Sequence, residues 1–203
     1  MFQFKHFSLY HENSALKIGT DAVLLAAAVP VSKETLVLDI GCGCGVIAYC
    51  LAWKLRNNKE KQTIIGVDVD KNSINDAQKS LLMFPKANHQ DLIFKNQSVQ
   101  DFSQNYQGKF DMIVSNPPFF CQSLKSPSAV KNLSKHNDEL PFSELCSAVE
   151  KLLSPHGRFF VILPPQESEK LYQIVENKLF INYQLKIQPT PNKPVNRIVS
   201  GFS

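Results

Sequence analysis

Leu36-Val37-Leu38-Asp39-Ile40-Gly41-Cys42-Gly43-Cys44-Gly45 is the stretch from which the rest of the chain can be read. A short apolar run ends in three glycines at alternate positions, and the apolar residues from Val46 to Leu55 then open a helical stretch. Strand, glycine turn, helix is the first half of a βα unit. Glycine takes positive φ without strain and leaves no Cβ between the backbone and a ligand. The same turn also serves any tight strand-to-helix connection, so the loop needs its surroundings to be interpreted.

Working outward, residues 63–67, 91–94, 110–114 and 158–163 are further short runs rich in β-branched and aromatic residues, apolar on both faces as helix-covered strands should be. Between them the spacing predicts helices over 21–29, stopped by Pro30, over 46–55, and over 72–82 with Asp70 as cap. Phe142, Leu145, Cys146, Val149, Leu152 and Leu153 keep helical spacing, with Ser154-Pro155-His156-Gly157 as the expected stop. Leu171, Ile174, Val175 and Leu179 predict a last helix. Residues 183–187 and 197–202, separated by Pro189, Pro191 and Pro194, predict an antiparallel hairpin at the sheet edge. The expectation is an α/β fold: a mostly parallel seven-stranded sheet with helices on both faces. Residues 1–203 form a single domain, with 1–30 as an N-terminal arm and first helix. The last strand runs to the final residue, Ser203, from which a truncated C-terminus is expected.

Composition bounds the class. A chain of 203 residues with 43% apolar and 20% charged residues suits one soluble globular domain and excludes a disordered tail, a collagen or a coiled coil. No apolar run reaches the roughly 18 residues a spanning helix requires. The N-terminus, Met1-Phe2-Gln3-Phe4-Lys5-His6, has no signal-peptide pattern, so a cytoplasmic protein without a membrane partner is expected. The net charge of +4 permits an anionic partner without requiring one. The five cysteines read as free thiols. Cys42 and Cys44 have no further zinc ligands close in sequence, so no metal is expected. Nothing fixes the oligomeric state; a monomer is the expectation.

Two nucleoside-binding patterns fit the glycine loop. Gly43, Gly45 and Ala48 satisfy a relaxed dinucleotide fingerprint. Asp39 ahead of Gly41, Gly43 and Gly45 fits the acid-plus-glycine loop of a methyl-donor site. Asp68, at the end of the second strand, is placed for the two hydroxyls of a ribose, which both cofactor classes contain.

Asn116-Pro117-Pro118-Phe119 separates the two. In an open α/β sheet, ligands sit beyond the carboxyl ends of the strands, so this motif at the end of the fourth strand stands beside the glycine loop. An exocyclic amine on a base is a poor nucleophile because its lone pair is delocalised into the ring. The Asn116 side-chain oxygen and the Pro117 carbonyl can accept its two N–H bonds and draw the nitrogen towards tetrahedral geometry. Pro117 holds Asn116 extended. Phe119 offers a face for an extruded base, a contact worth roughly 1–3 kcal/mol. A hydride-transfer enzyme would leave this motif unexplained.

With these residues in place, the chain resembles the class I S-adenosylmethionine-dependent methyltransferases that carry an Asn-Pro-Pro-aromatic signature. It closely resembles the bacterial enzymes that methylate adenine N6 at position 37 of valine tRNA. The resemblance covers nearly the whole chain. It implies a Rossmann-like methyltransferase fold, S-adenosylmethionine as cofactor and tRNA as substrate. It also implies donor contacts from Lys17, Thr20, Asp39, Gly41, Gly43, Gly45, Asp68, Val69, Ser98, Val99 and Asn116, with Asn116, Pro117, Pro118 and Phe119 as the catalytic motif. Ser98 stands where the family has an aspartate for the donor's adenine amine, so Ser98 or Asp101 takes that contact. Phe119 replaces the usual tyrosine, and Cys42 and Cys44 replace threonines. Lys131-Asn132-Leu133-Ser134-Lys135-His136 resembles a basic segment of the family; with Lys125 it supplies the expected RNA-binding residues Lys125, Lys131, Lys135 and His136. Enzymes that methylate a release-factor glutamine share a similar motif but usually carry an additional N-terminal helical domain; the roughly 30 residues ahead of the first strand disfavour that expectation. A silent RNA-binding protein on this fold would not need Asn116.

Overall fold

The structure is a computed structural model, and it describes residues 1–118, 140–176 and 178–203. Phe119, Cys121, Lys125, Lys131, Lys135 and His136 lie outside the described residues. A small hairpin comes first, β1 (Phe2–Gln3) with β2 (Ser8–Leu9). Then α1 (Thr20–Ala28), β3 (Leu36–Ile40), α2 (Val46–Leu55), β4 (Gln62–Asp68), α3 (Lys71–Ser80), β5 (Gln90–Asn96), α4 (Val99–Asn105) and β6 (Phe110–Ser115) follow. The chain continues with α5 (Phe142–Leu152), β7 (Leu153–Leu163), α6 (Pro165–Val175), β8 (Ile181–Ile187) and β9 (Arg197–Phe202).

Seven strands form one sheet in the order β5-β4-β3-β6-β7-β9-β8. The five from β3 to β7 are parallel, and β9 is antiparallel to both β7 and β8. Because side chains alternate across a strand, Val37, Ile64, Met112 and Val114 point one way, under the arm, α1, α2 and α3. Leu38, Ile40, Ile65 and Ile113 point the other way, under α4, α5 and α6. This is the mostly parallel α/β sheet expected from the alternation of runs and the Rossmann-like fold that the resemblance implies, with the antiparallel hairpin at the edge as predicted.

Three local departures have physical causes. Ser154-Pro155-His156-Gly157 does not end a helix with a turn; it lies inside β7. Pro155 holds Ser154 extended, and the register slips between Phe110, opposite Leu153, and Met112, opposite Arg158. Gly157 is needed there because a Cβ would sit 2.6 Å from the Phe110 carbonyl oxygen. The short helix α4 was hidden by its polar sequence; Ser98 starts it by accepting the Asp101 N–H at 3.1 Å. And β5 is an edge strand with Ile93 partly exposed, so it is not covered on both faces as the apolar runs suggested.

Candidate functional site

The carboxyl ends of β3, β4 and β6 converge. Ile40 pairs with Val67 on one side and with Ser115 on the other, so Gly41, Asp68 and Asn116 leave the sheet side by side at one level. The Ser115 hydroxyl donates to the Ile40 carbonyl at 3.0 Å and locks β6 to β3 there. Chain connections run to opposite sides of this pair, β4 one way and β7 the other, and the point where the strand order reverses is where open α/β sheets form their binding crevice.

The glycine loop is held from beneath. Gly41, Gly43 and Gly45 have φ of 67°, 53° and 82°, in the left-handed region that other residues avoid. Gly41 and Cys42 donate their N–H groups to the Val67 carbonyl at 2.9 and 3.1 Å, and Gly43 donates to Asp68 Oδ2 at 2.7 Å. A Cβ on Gly41 or Gly43 would meet nothing within 4 Å, so the loop presents bare backbone to open space.

Three polar side chains stand around the loop. Asp68 Oδ1 accepts from the Asp70 N–H at 2.8 Å; both its oxygens therefore brace backbone, with lone pairs left over. Burial pushes its carboxyl above the usual range, opposed by those hydrogen bonds. Asp39 is fully buried. Its Oδ2 accepts from the Ala48 N–H in the first turn of α2 at 3.1 Å, and its Oδ1 is buried with no partner among the described residues. Burial raises its pKa to about 7 and outweighs the Ala48 hydrogen bond. Asn116 Oδ1 is likewise buried without a partner among the described residues. Pro117, beside it, is buried and Pro118 is exposed.

The methyltransferase small domain family model matches residues 11–177. The chain belongs to this family. Among relatives of this methyltransferase, a Bacteroides fragilis protein named tRNA1(Val) (adenine(37)-N6)-methyltransferase is 35% identical over 207 residues, covering 100% of this chain and 83% of that protein. A Pseudoalteromonas translucida protein of the same name is 36% identical over 203 residues, covering 100% and 84%. Among solved structures, a predicted O-methyltransferase from Agrobacterium tumefaciens superposes with a TM-score of 0.67 at 16% identity, covering 90% of this chain and 80% of that one. The ribosomal protein L11 methylase of Lactobacillus delbrueckii gives 0.60 at 20% identity, covering 90% and 75%. These two likenesses concern the fold.

Around the crevice of this methyltransferase the remaining site residues fall into two groups. Val69 is exposed on the rim after Asp68, and Thr20 begins α1. The Lys17 ammonium is turned back onto its own arm, donating to the His11 and Glu12 carbonyls at 2.9 and 2.6 Å. The Ser98 hydroxyl is held by Asp101, donating to its Oδ2 at 2.7 Å, while Val99 is buried beneath. Sequence reasoning gave Asp70 only as a helix cap and missed Asp76; both bind the arm. Asp70 Oδ2 accepts from the Ala15 N–H at 3.1 Å as well as capping α3 through Asn72 and Ser73. Asp76, buried on the inner face of α3, accepts from Asn13 and Ser14. The one available signal was an acid on a helix face shared with Ser73, Ile74, Ala77 and Ser80.

The loop cysteines are buried, and burial raises the Cys44 thiol to about 11 and the Cys42 thiol well above its usual value. Among the described residues no group of three or more His, Cys, Asp or Glu side chains could hold a metal ion. Among them, too, no helix is long and apolar enough to cross a membrane.

Proposed function

We propose that this chain transfers a methyl group from S-adenosylmethionine to N6 of an adenine in tRNA, specifically adenine 37 of a valine tRNA. The observation that carries the reading is the unpartnered, buried Asn116 Oδ1 at the end of β6, one strand from the glycine loop. An acceptor left dry and unpaired costs about 1–3 kcal/mol, so it is held for a donor that arrives with the ligand. The acceptor named in the relatives, an adenine amine, carries such donors.

The residues present fit the methyl donor. Gly41 and Gly43 give a backbone cradle that a Cβ would fill. Asp39 Oδ1 is a second buried acceptor without a partner among the described residues, suited to an ammonium. Asp68, braced by Gly43 and Asp70, would hold the ribose hydroxyls, and the Ser98–Asp101 pair at the start of α4 the adenine amine. When bound, S-adenosylmethionine supplies an electrophilic methyl group on a sulfonium.

Everything else falls to the chain. Asn116 Oδ1 and the Pro117 carbonyl accept the two N–H bonds of the target amine, turning its lone pair out of the ring plane and towards the cradle. Burial of the Asn116 Oδ1 atom and of Pro117 excludes water from those bonds and strengthens them. No strong base is required, because the amine becomes acidic once alkylated and gives up its proton to solvent. From their sequence, Lys125, Lys131, Lys135 and His136 would add phosphate contacts.

The test is incorporation of labelled methyl from S-adenosylmethionine into tRNA lacking the modification, followed by nucleoside mass spectrometry. N6-methyladenosine at position 37 of valine tRNA is expected. Label in a release-factor glutamine and none in RNA would overturn the substrate assignment.

A further inference from the structure

Sheet topology carries one loop to the mouth of the crevice. Ser115 is level with Val161 of β7, and Val161 with Ser200 of β9. Since β9 runs the opposite way, counting three residues on from Ser115 and three back from Ser200 sets Arg197 level with Pro118. Residues 188–196, which join β8 to β9, therefore rise beyond the Asn116-Pro117-Pro118 turn. They stand two strands to its side, about 10 Å at the usual strand spacing. The root of this loop is tied to the donor side of the crevice: Arg197 Nε donates to Asp21 Oδ2 at 2.8 Å, one residue from Thr20.

The loop is built to keep its shape. Pro189, Pro191 and Pro194 restrict its backbone. Lys193 N–H donates to the Thr190 carbonyl at 3.1 Å, Gln188 Nε2 donates to the Lys193 carbonyl at 3.0 Å, and Asn196 N–H donates to the Ile187 carbonyl at 3.0 Å. Its charge is one-sided. From 177 to 203 there is no acidic side chain. Two of the four cations there are paired, Lys178 with Glu150 and Arg197 with Asp21. Lys186, one residue from the end of β8, and Lys193 are exposed and form no ion pair with the described residues.

We infer that this hairpin is a preformed wall of the acceptor site, where Lys186 near the end of β8 and Lys193 in the loop contact phosphates of the RNA that delivers its base to Asn116. The inference rests on the substrate reading above. Protein interfaces depend on aromatic or aliphatic anchors; apart from its prolines the loop offers only Val195, half-buried, and the exposed Ile181 and Leu185 belong to β8. A polyanion needs no such anchor. A loop already rigid avoids the ordering cost that weakens binding by flexible segments.

The experiment compares the full chain with Lys186→Ala/Lys193→Ala and Lys186→Glu/Lys193→Glu, using an unmodified valine tRNA transcript as probe. Loss of two phosphate contacts should reduce the slope of log affinity against log salt by roughly 1.4–1.8. The tRNA KM should rise in the order Ala then Glu, with kcat at saturating tRNA retained and S-adenosylmethionine affinity by calorimetry unchanged. That unchanged donor affinity also reports an intact fold. An active wild type whose variants keep the same KM and salt slope would overturn this inference and leave the substrate reading standing. A wild type that methylates no RNA would overturn both.

Discussion

Asp76 and Ser14, sixty-two residues apart in sequence, are joined twice: Asp76 Oδ2 accepts the Ser14 N–H at 3.0 Å and the Ser14 hydroxyl at 2.9 Å. The same carboxylate accepts the Asn13 N–H at 2.8 Å and Asn13 Nδ2 at 3.1 Å. One side chain on α3 thus fixes the arm shortly before Lys17 and the start of α1 at Thr20. Although burial raises the Asp76 pKa, these hydrogen bonds outweigh it and hold the group below its ordinary value of 3.8.

Asp76→Ala should release the arm. The donor KM is expected to rise several-fold with kcat little changed, and limited proteolysis should cut within the first 20 residues. The pH dependence has a definite sign. A depressed carboxyl stabilises the folded chain fully above 3.8, and that stability is lost as pH falls through the lower folded value. Acid unfolding of the variant should therefore be less steep than that of the wild type. Equal donor KM in both would remove the arm from the site.

Asp39→Asn should move stability and donor binding in opposite directions. With its pKa raised to about 7, Asp39 destabilises the ligand-free chain increasingly as pH rises from 3.8 to about 7, and fully above it. Asparagine keeps an acceptor for the Ala48 N–H and carries no charge. At pH 8 the melting temperature should rise by at least about 2–4 °C, the shift for 1 kcal/mol in a chain of this size. At pH 5 the gain should shrink. Affinity for S-adenosylmethionine, measured by calorimetry, should fall at either pH.

Asn116→Ala should leave donor affinity nearly intact and reduce turnover about a hundredfold or more, the scale for one preorganised contact to the reacting group. Calorimetry and single-turnover kinetics on unmodified tRNA separate the two effects. Near-normal turnover would exclude the lone-pair mechanism.

Gly45→Ala carries two separable penalties. At φ 82° an alanine is strained by roughly 1–2 kcal/mol, and its Cβ would lie 2.7 Å from Phe94 Cε1. Replacing Phe94 by Leu in the same chain should relieve the collision and leave the backbone strain. Chemical denaturation of the single and double variants should show partial recovery; complete recovery would mean the φ of Gly45 carries no strain.

What the sequence by itself determined was local or periodic. The run Leu36–Ile40 followed by spaced glycines, the alternation of apolar runs with helical spacing, and Asp70 as a cap all rest on interactions between near neighbours, so they are legible in order along the chain. Asn116 and Asp68 could be singled out for a similar reason: each ends a strand, and strand ends in a parallel sheet meet at one edge.

What only the tertiary structure decided was which distant groups share a dry space. The pairing of Ile40 with both Val67 and Ser115 brings Gly41, Asp68 and Asn116 to one level. Burial without a partner among the described residues marks Asp39 Oδ1 and Asn116 Oδ1 as acceptors in waiting. The Lys17 ammonium donates to the His11 and Glu12 carbonyls, partners that the sequence does not reveal. Asp76 looks like an ordinary polar residue of α3 until Asn13 and Ser14 arrive from the arm. Desolvation, the partner of a hydrogen bond and the register of non-adjacent strands depend on contacts between residues far apart in the chain, and no local pattern encodes them.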